Sequence, residues 1–306
     1  MNCPLCSSSS SRAIKPYAFE SSFFQDKEIR ACQDCHMQFI HPMPSEQEWD
    51  DYNSSYFENA HGGVSTSDWA KAYNSGLAKI RLHALFDYIK AKDISVKSVL
   101  EIGPGQGYLM REWLAWHPET SYYVVESDHI VHPELEASGG NIIHSSQINT
   151  IGKVDLVIAT HVIEHTLKPL EFLSYFTSAL RKGGGLFIEA PCLDHKYKEI
   201  FEPHVQFFEK STLARCFHDV DLCNIHLTYN GDPISSLRRN ALFRKILVIL
   251  QRKTRLPFLF FLGLYWPSLS SYNLRPIEAL ALIETSPHLI QDQEARWVRG
   301  FAQKEI

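Results

Sequence analysis

Apolar residues in the middle of the chain arrive in short, dense runs. SVLEI (98–102), YYVVE (122–126), NIIH (141–144), DLVIAT (155–160) and GLFIEA (185–190) are rich in β-branched and aliphatic side chains. Runs of this length bounded by turn residues read as buried strands. Stretches of mixed polarity lie between and around them: about 69–91, YLMREWLAW after residue 107, about 130–138, about 168–181 and 209–218. These read as helices. Buried strands alternating with helices predict an α/β fold built on a doubly wound, mostly parallel sheet. Its ligand belongs at the carboxyl ends of the strands, where the strand order reverses.

The flanks follow other patterns. HPMPSEQEWDDYNSSY (41–56) reads as a linker, and Tyr52, Tyr56 and Phe57 are candidates to fold over the pocket, with Gly62 and Gly63 as hinge. LRRNALFRKILVILQRKTR (237–255) carries seven basic residues and no acidic ones, with Arg238, Lys245 and Arg252 along one stripe of a helix. The apolar LPFLFFLGLYW (256–266) follows it and is too short to span a bilayer. Together, 237–266 are a candidate for peripheral contact with an anionic membrane, against the plainer alternative of packing on their own domain or a second copy.

Composition adds little to that outline and excludes some partners. The chain has 306 residues, 44% of them hydrophobic and 21% charged, in the range of a soluble globular protein. A net charge of −5 gives no reason to expect a nucleic-acid partner. The first residues, MNCPLCSSSS, have neither a basic nor an apolar signal region, so a cytoplasmic location with reduced thiols is expected.

Reduced thiols matter because four of the seven cysteines form two C-x-x-C pairs, Cys3/Cys6 and Cys32/Cys35, with 25 residues between them. Two such knuckles make a tetrahedral Cys₄ site, which suits a structural Zn²⁺ with no position open to water. Cys192, Cys216 and Cys223 stand apart and read as small buried hydrophobes.

The first strand of the α/β region ends in Glu101 and runs into GPGQG, with glycines at 103, 105 and 107. A dinucleotide fingerprint would be G-x-G-x-x-G, and Tyr108 stands where its last glycine belongs. Glu101 would repel a pyrophosphate but suits a ligand ammonium. Glu126 ends the next strand and is placed to take ribose hydroxyls through both carboxylate oxygens. The ligand implied has an adenosine-like ribose, a positive charge and no diphosphate.

The motifs EIGPGQG, the VE ending the second strand, DLVIATHVIEHTLKP and RKGGGLFIEAP together resemble the class I S-adenosylmethionine-dependent methyltransferases, over about residues 45–230. The resemblance implies a seven-stranded Rossmann-like sheet with S-adenosylmethionine held by Glu101, Gly103, Gly105, Gly107 and Glu126. With the cysteine pairs and the basic segment, four parts are expected: a zinc ribbon (1–44), a helical linker or lid (45–96), the cofactor-binding core (97–232) and a helical C-terminal extension (233–306). Methyltransferases commonly place an acid after the third strand to accept from the adenine amine; here Gln147 is the candidate.

His161, Glu164 and His165 also have the H-x-x-E-H spacing of one class of zinc peptidases. There the two histidines lie one turn apart in a helix. Here they follow a strand, and no third ligand presents itself in the sequence, so that reading is set aside. The methyltransferase resemblance instead puts His161 at the methionine end of the cofactor pocket and His165 toward the acceptor. Glu164 is expected to brace the loop by accepting backbone N–H groups.

PCLDHKYKEIFEPHVQFFEKSTL (191–213) crowds polar, aromatic and histidine residues into the expected roof of the pocket. It is similar to the roof of zinc-ribbon methyltransferases of deoxysugar nucleotides, which have a glutamate–histidine pair ahead of an aromatic pair. That likeness makes His204 a general base, Glu202 its companion and His165 a second acceptor contact, although Pro203 separates Glu202 from His204 here. The acceptor implied is a sugar, nucleotide sugar or glycan precursor. The rival readings are a small non-sugar metabolite or lipid precursor as acceptor, and a non-catalytic scaffold keeping the fold.

Overall fold

The computed structural model describes residues 2–239, 270–282 and 285–305; most of the basic and apolar segment 237–266 lies outside them. Each strand read from the sequence is present: β4 (Ser98–Ile102), β5 (Ser121–Val125), β6 (Asn141–Ile142), β7 (Val154–Thr160) and β8 (Leu180–Pro191). They are crossed by α4 (Tyr108–Trp116), α5 (His132–Ala137) and α6 (Pro169–Thr177), with α3 (Asp68–Ala91) ahead of β4. The sheet runs β8-β7-β4-β5-β6 in parallel. Chain order therefore reverses between β4 and β7, and the crevice above their carboxyl ends is where the glycine loop and the HVIEH segment meet.

Beyond β8 the sheet continues antiparallel through β12 (Ala295–Lys304), β10 (Leu222–Pro233) and the two-residue β11 (Ile290–Gln291), making eight strands. The C-terminal extension expected to be helical is thus helical only in part. Among the described residues it holds α8 (Ile234–Arg239) and α9 (Pro276–Leu282), but its last stretch is a strand inserted between β8 and β10. ARWVRGFAQK hides this because its charges are interior ones. Arg299 is 3% exposed, paired with Glu189 across the β8–β12 register. A buried ion pair makes an interior strand look like a surface segment.

The N-terminal part forms a second sheet of β1 (Ser11–Pro16), β2 (Glu28–Cys32) and β3 (Gln38–His41), all antiparallel. Its fourth strand is β9 (Gln206–Phe207), drawn from the roof segment. Strand pairing therefore crosses the boundary expected at residue 44. Phe201, Phe207 and Phe208 are buried where the two sheets meet, each burial contributing about 1.5–3 kcal/mol. The stretch read as a linker is α1 (Glu46–Ser54) and α2 (Tyr56–His61). Ser45 and Glu48 form a capping box that fixes where α1 begins. Trp49 and Tyr52 stack on the same helix, with Phe23 against them.

The antiparallel wing packs under α7 (Lys210–Asp219), and Gly300 on β12 makes room for it: a Cβ there would lie 2.7 Å from the Phe217 ring. Gly300→Ala is expected to lower stability in chemical denaturation by about 1–3 kcal/mol through overpacking. An unchanged midpoint would mean that α7 yields without cost.

Candidate active site

The loop after β4 brings Gly103, Gly105 and Gly107 into the left-handed region, at φ +61, +55 and +70. Side chains have no room at two of them. A Cβ on Gly103 would fall 2.6 Å from Val162, and one on Gly107 2.6 Å from Leu135. At Gly105 the nearest atom to such a Cβ is on the Phe57 ring at 3.6 Å, so a ligand can approach the backbone there. Two cavities meet at this loop. One of about 630 Å³ is lined by Glu126, His144, Ser145 and His165; the other, of about 420 Å³, by Glu101, Arg81 and Lys198. Gly103, Gly105, Tyr56, Phe57 and His161 border both.

Glu126 serves the loop as well as the cavity. Its two carboxylate oxygens accept from the N–H groups of Gly105 and Asp128, both at 3.0 Å. A carboxylate has about four acceptor sites, so capacity for a diol remains. Asp128 in turn accepts from Phe57 N–H at 2.9 Å, which ties α2 over the loop. Glu101 is 1% exposed and accepts from the Tyr122 hydroxyl at 2.8 Å. Burial pushes its carboxyl up to about 7, against the opposing pull of Tyr122 and Arg81.

His161 sits at the tip of β7 with φ +58, uncommon for a residue with a side chain. Its N–H is held by the Glu189 carbonyl at 2.7 Å. The imidazole lies between two carboxylates, Nδ1 at 3.5 Å from Glu164 and Nε2 at 3.3 Å from Glu189. Burial works against protonation of His161, but the two acids prevail and raise its pKa. Glu189 also pairs with Arg299 at 2.5 Å and with Arg81 at 2.6 Å, an anchor under the site that the sequence did not reveal.

One turn further, His204 from the roof joins Glu164 and His165, bringing together the two histidines expected to face the acceptor. The rings of His165 and His204 meet edge to face at 5.0 Å, and Tyr56 lies edge-on to His165 at 5.5 Å. Burial holds the His165 pKa down to about 3, so its ring is neutral at ordinary pH. His204 Nδ1 is 2.8 Å from Oδ2 of Asp194, a residue the sequence reading passed over. Asp194 is 1% exposed; burial would raise its carboxyl, but His204 and Lys198 hold it well below the usual range. The only hint in the sequence was Lys198, four residues on and paired with Asp194 at 2.8 Å.

Three expectations need correction. Gln147 does not border either cavity: its Oε1 accepts from His144 N–H at 2.9 Å and closes a local turn, leaving His144 and Ser145 at the wall. Glu202 does not accompany His204. Its carboxylate accepts from the N–H groups of Glu20 at 2.9 Å and Ser21 at 3.1 Å, while the His204 ring goes to Asp194. Glu164 does not brace its loop through backbone donors; neither carboxylate oxygen has a hydrogen-bond partner.

The four N-terminal cysteines also converge. Sγ distances are 3.5 Å for Cys3–Cys35 and for Cys6–Cys32, and all four sulfurs lie within 4.8 Å of one another. A disulfide would need about 2.05 Å.

The sequence profile of the family described as methyltransferase domain matches residues 72–227, just over half of the chain. The chain belongs to this family. Among solved structures this methyltransferase is similar to the plantazolicin methyltransferase BamL, in a complex with a desmethylPZN analog and SAH. That likeness is at 13% identity and TM-score 0.50, over 85% of this chain and 98% of that one. It is also similar to a SAM-dependent methyltransferase from Archaeoglobus fulgidus, at 17% identity and TM-score 0.47 over 81% of this chain and 98% of that one. At these identities the likeness concerns the fold. No curated protein matches the chain.

The enzyme is an S-adenosylmethionine-dependent methyltransferase, and its crevice fits that cofactor. Gly105 leaves its backbone open to close approach, Glu126 borders the larger cavity, and buried Glu101 borders the smaller one. Glu126→Ala should weaken S-adenosylmethionine binding by about 1.5–3 kcal/mol in calorimetry, the worth of hydrogen bonds to a charged group. Unchanged affinity would remove Glu126 from the cofactor site.

Proposed function

We propose that this methyltransferase passes the methyl group to a sugar-containing acceptor, a nucleotide sugar or glycan precursor, beneath the roof formed by residues 191–213. The observation that carries the reading is the Asp194–His204 pair, with the His204 ring edge to face with that of His165 at the cavity wall. Bound S-adenosylmethionine supplies an electrophilic methyl, so the chain's tasks are alignment, exclusion of water and handling of the acceptor proton. His204 activates the acceptor, in the simplest form of the reaction as general base, and Asp194 fixes its tautomer and orientation. Neutral His165 offers a second polar contact. Lys198, Arg296, Tyr197 and Trp297 border the smaller cavity, a lining suited to an acceptor with both a flat ring and an anionic group.

Glu101 meets the cofactor's ammonium in this reading, while Gly103, Gly105 and Glu126 hold the remainder. The N-terminal sheet is a structural zinc ribbon. Four sulfurs at about 2.3 Å from one ion stand about 3.8 Å apart, close to the spacing found.

His204→Ala is expected to leave cofactor affinity intact and to cut turnover of nucleotide sugars by about 10²–10⁴-fold. Full turnover would reject the assignment, and turnover confined to non-sugar acceptors would redirect the search to metabolites or lipid precursors. Glu101 generates a pH test. Its carboxyl titrates near 7 in the free protein and must ionise to meet an ammonium, so binding releases a proton below that pH. Affinity should therefore rise with pH from about 6 to 8, by at most about tenfold per unit, and level off above. Glu101→Gln should flatten the profile; an unchanged profile would place the ammonium elsewhere.

A further inference from the structure

Glu164 lies behind the cavity wall, beside His161 and His165. It is 1% exposed, and its carboxylate has no donor at close hydrogen-bond geometry, His161 Nδ1 at 3.5 Å being the nearest. A buried carboxylate with spare acceptor sites is costly, and natural folds satisfy such groups with donors, a cation or a metal. What faces it instead is imidazole: His161 Nδ1 at 3.5 Å and His165 Nε2 at 3.9 Å, with His204 beyond.

We propose that Glu164, His165 and His204 bind a divalent cation at the acceptor end of the pocket. One ligand atom from each lies within 4.8 Å of the others. An ion with bonds of about 2.0–2.2 Å would hold neighbouring donors about 3–3.5 Å apart, so small side-chain movements close the set. The chemistry is two imidazoles and one carboxylate, which suits Mn²⁺, Fe²⁺, Co²⁺ or Zn²⁺ and leaves coordination positions open. The surroundings are those of a ligating histidine. His204 Nδ1 rests on Asp194 at 2.8 Å, leaving Nε2 to the ion, and a carboxylate behind a histidine is the usual outer partner of a metal ligand. Asp194 is itself held by Lys198 at 2.8 Å. His165 is the member of the set that borders a cavity, the larger one, so the ion would be reached from that side.

The inference rests on the function proposed above only in assigning this corner to the acceptor. It changes one role in that reading, making His204 a ligand in place of a general base: paired oxygens of the acceptor, such as neighbouring hydroxyls of a sugar, would complete the ion's coordination. It also answers the H-x-x-E-H spacing. The third ligand missing from the sequence comes from the roof, and His161, first of the motif, stands beside the set with Glu164 and Glu189 about it.

The test is titration of the zinc-loaded, full-length protein with Mn²⁺, read as loss of the free-ion signal in electron paramagnetic resonance. Hard Mn²⁺ competes poorly for thiolates, so the cysteine cluster does not interfere. One Mn²⁺ per chain is expected, with affinity falling at least about tenfold in Glu164→Gln and in His204→Ala, and by about tenfold in Asp194→Asn. S-adenosylmethionine calorimetry on the same samples verifies that the variants are folded. Absence of Mn²⁺ binding in the wild-type protein overturns the site, and so does binding that both ligand variants leave unchanged. Because the signal is read without cofactor or acceptor, its failure is separate from failure of the proposed methyl transfer.

Discussion

Glu189 is the charge around which the sheet is organised. Placed near the carboxyl end of β8 and 1% exposed, it draws Arg299 from β12, Arg81 from α3 and His161 from the tip of β7 onto one carboxylate. An ion cluster of this kind contributes little net stability against a well-packed apolar core, but losing one member leaves a buried charge exposed to about 3–5 kcal/mol of penalty. Its effect is to fix position. The antiparallel wing, the helix ahead of the glycine loop and the histidine over the switch point are all registered to a single side chain, so the crevice cannot widen without breaking a charged contact.

That cluster also marks where the sequence was readable and where it was not. β4, β5 and β7 announced themselves because both faces of a central parallel strand are apolar, as SVLEI and DLVIAT are. β12 did not, because an interior arginine reads as a surface residue until its partner is known. Glu101, Gly103, Gly105 and Glu126 were legible as strand tips and a glycine loop, and the structure sets them around one crevice. Asp194 was not, because its value comes from a histidine ten residues away that only the fold brings back. Glu202 misled for the same reason: adjacency in sequence stood in for adjacency in space.

The cysteine pairs were legible as a cluster, but not their attachment. β9 is two residues long and pairs with β3, too short for any periodic signal. The same roof segment gives Tyr17 its hydroxyl acceptor, the His204 carbonyl at 2.9 Å, and gives the N–H groups of Glu20 and Ser21 the Glu202 carboxylate. Nothing in local composition distinguishes a roof that stands alone from one laced to a neighbouring sheet.

The lacing has a consequence for how the two halves depend on each other. The ceiling over the crevice is woven from both: its histidine is carried by the α/β chain, while the backbone of that histidine hangs from a tyrosine of the cysteine-bearing sheet. A chain beginning after residue 44 would retain the Rossmann-like sheet and its glycine loop, yet the segment bearing His204 would lose the strand it lies against and the hydroxyl that holds its carbonyl. Under the role proposed for His204, such a remnant would be a cofactor cradle without a reaction chamber, and the small sheet would be part of the chemistry although it contributes no side chain to the cavity walls.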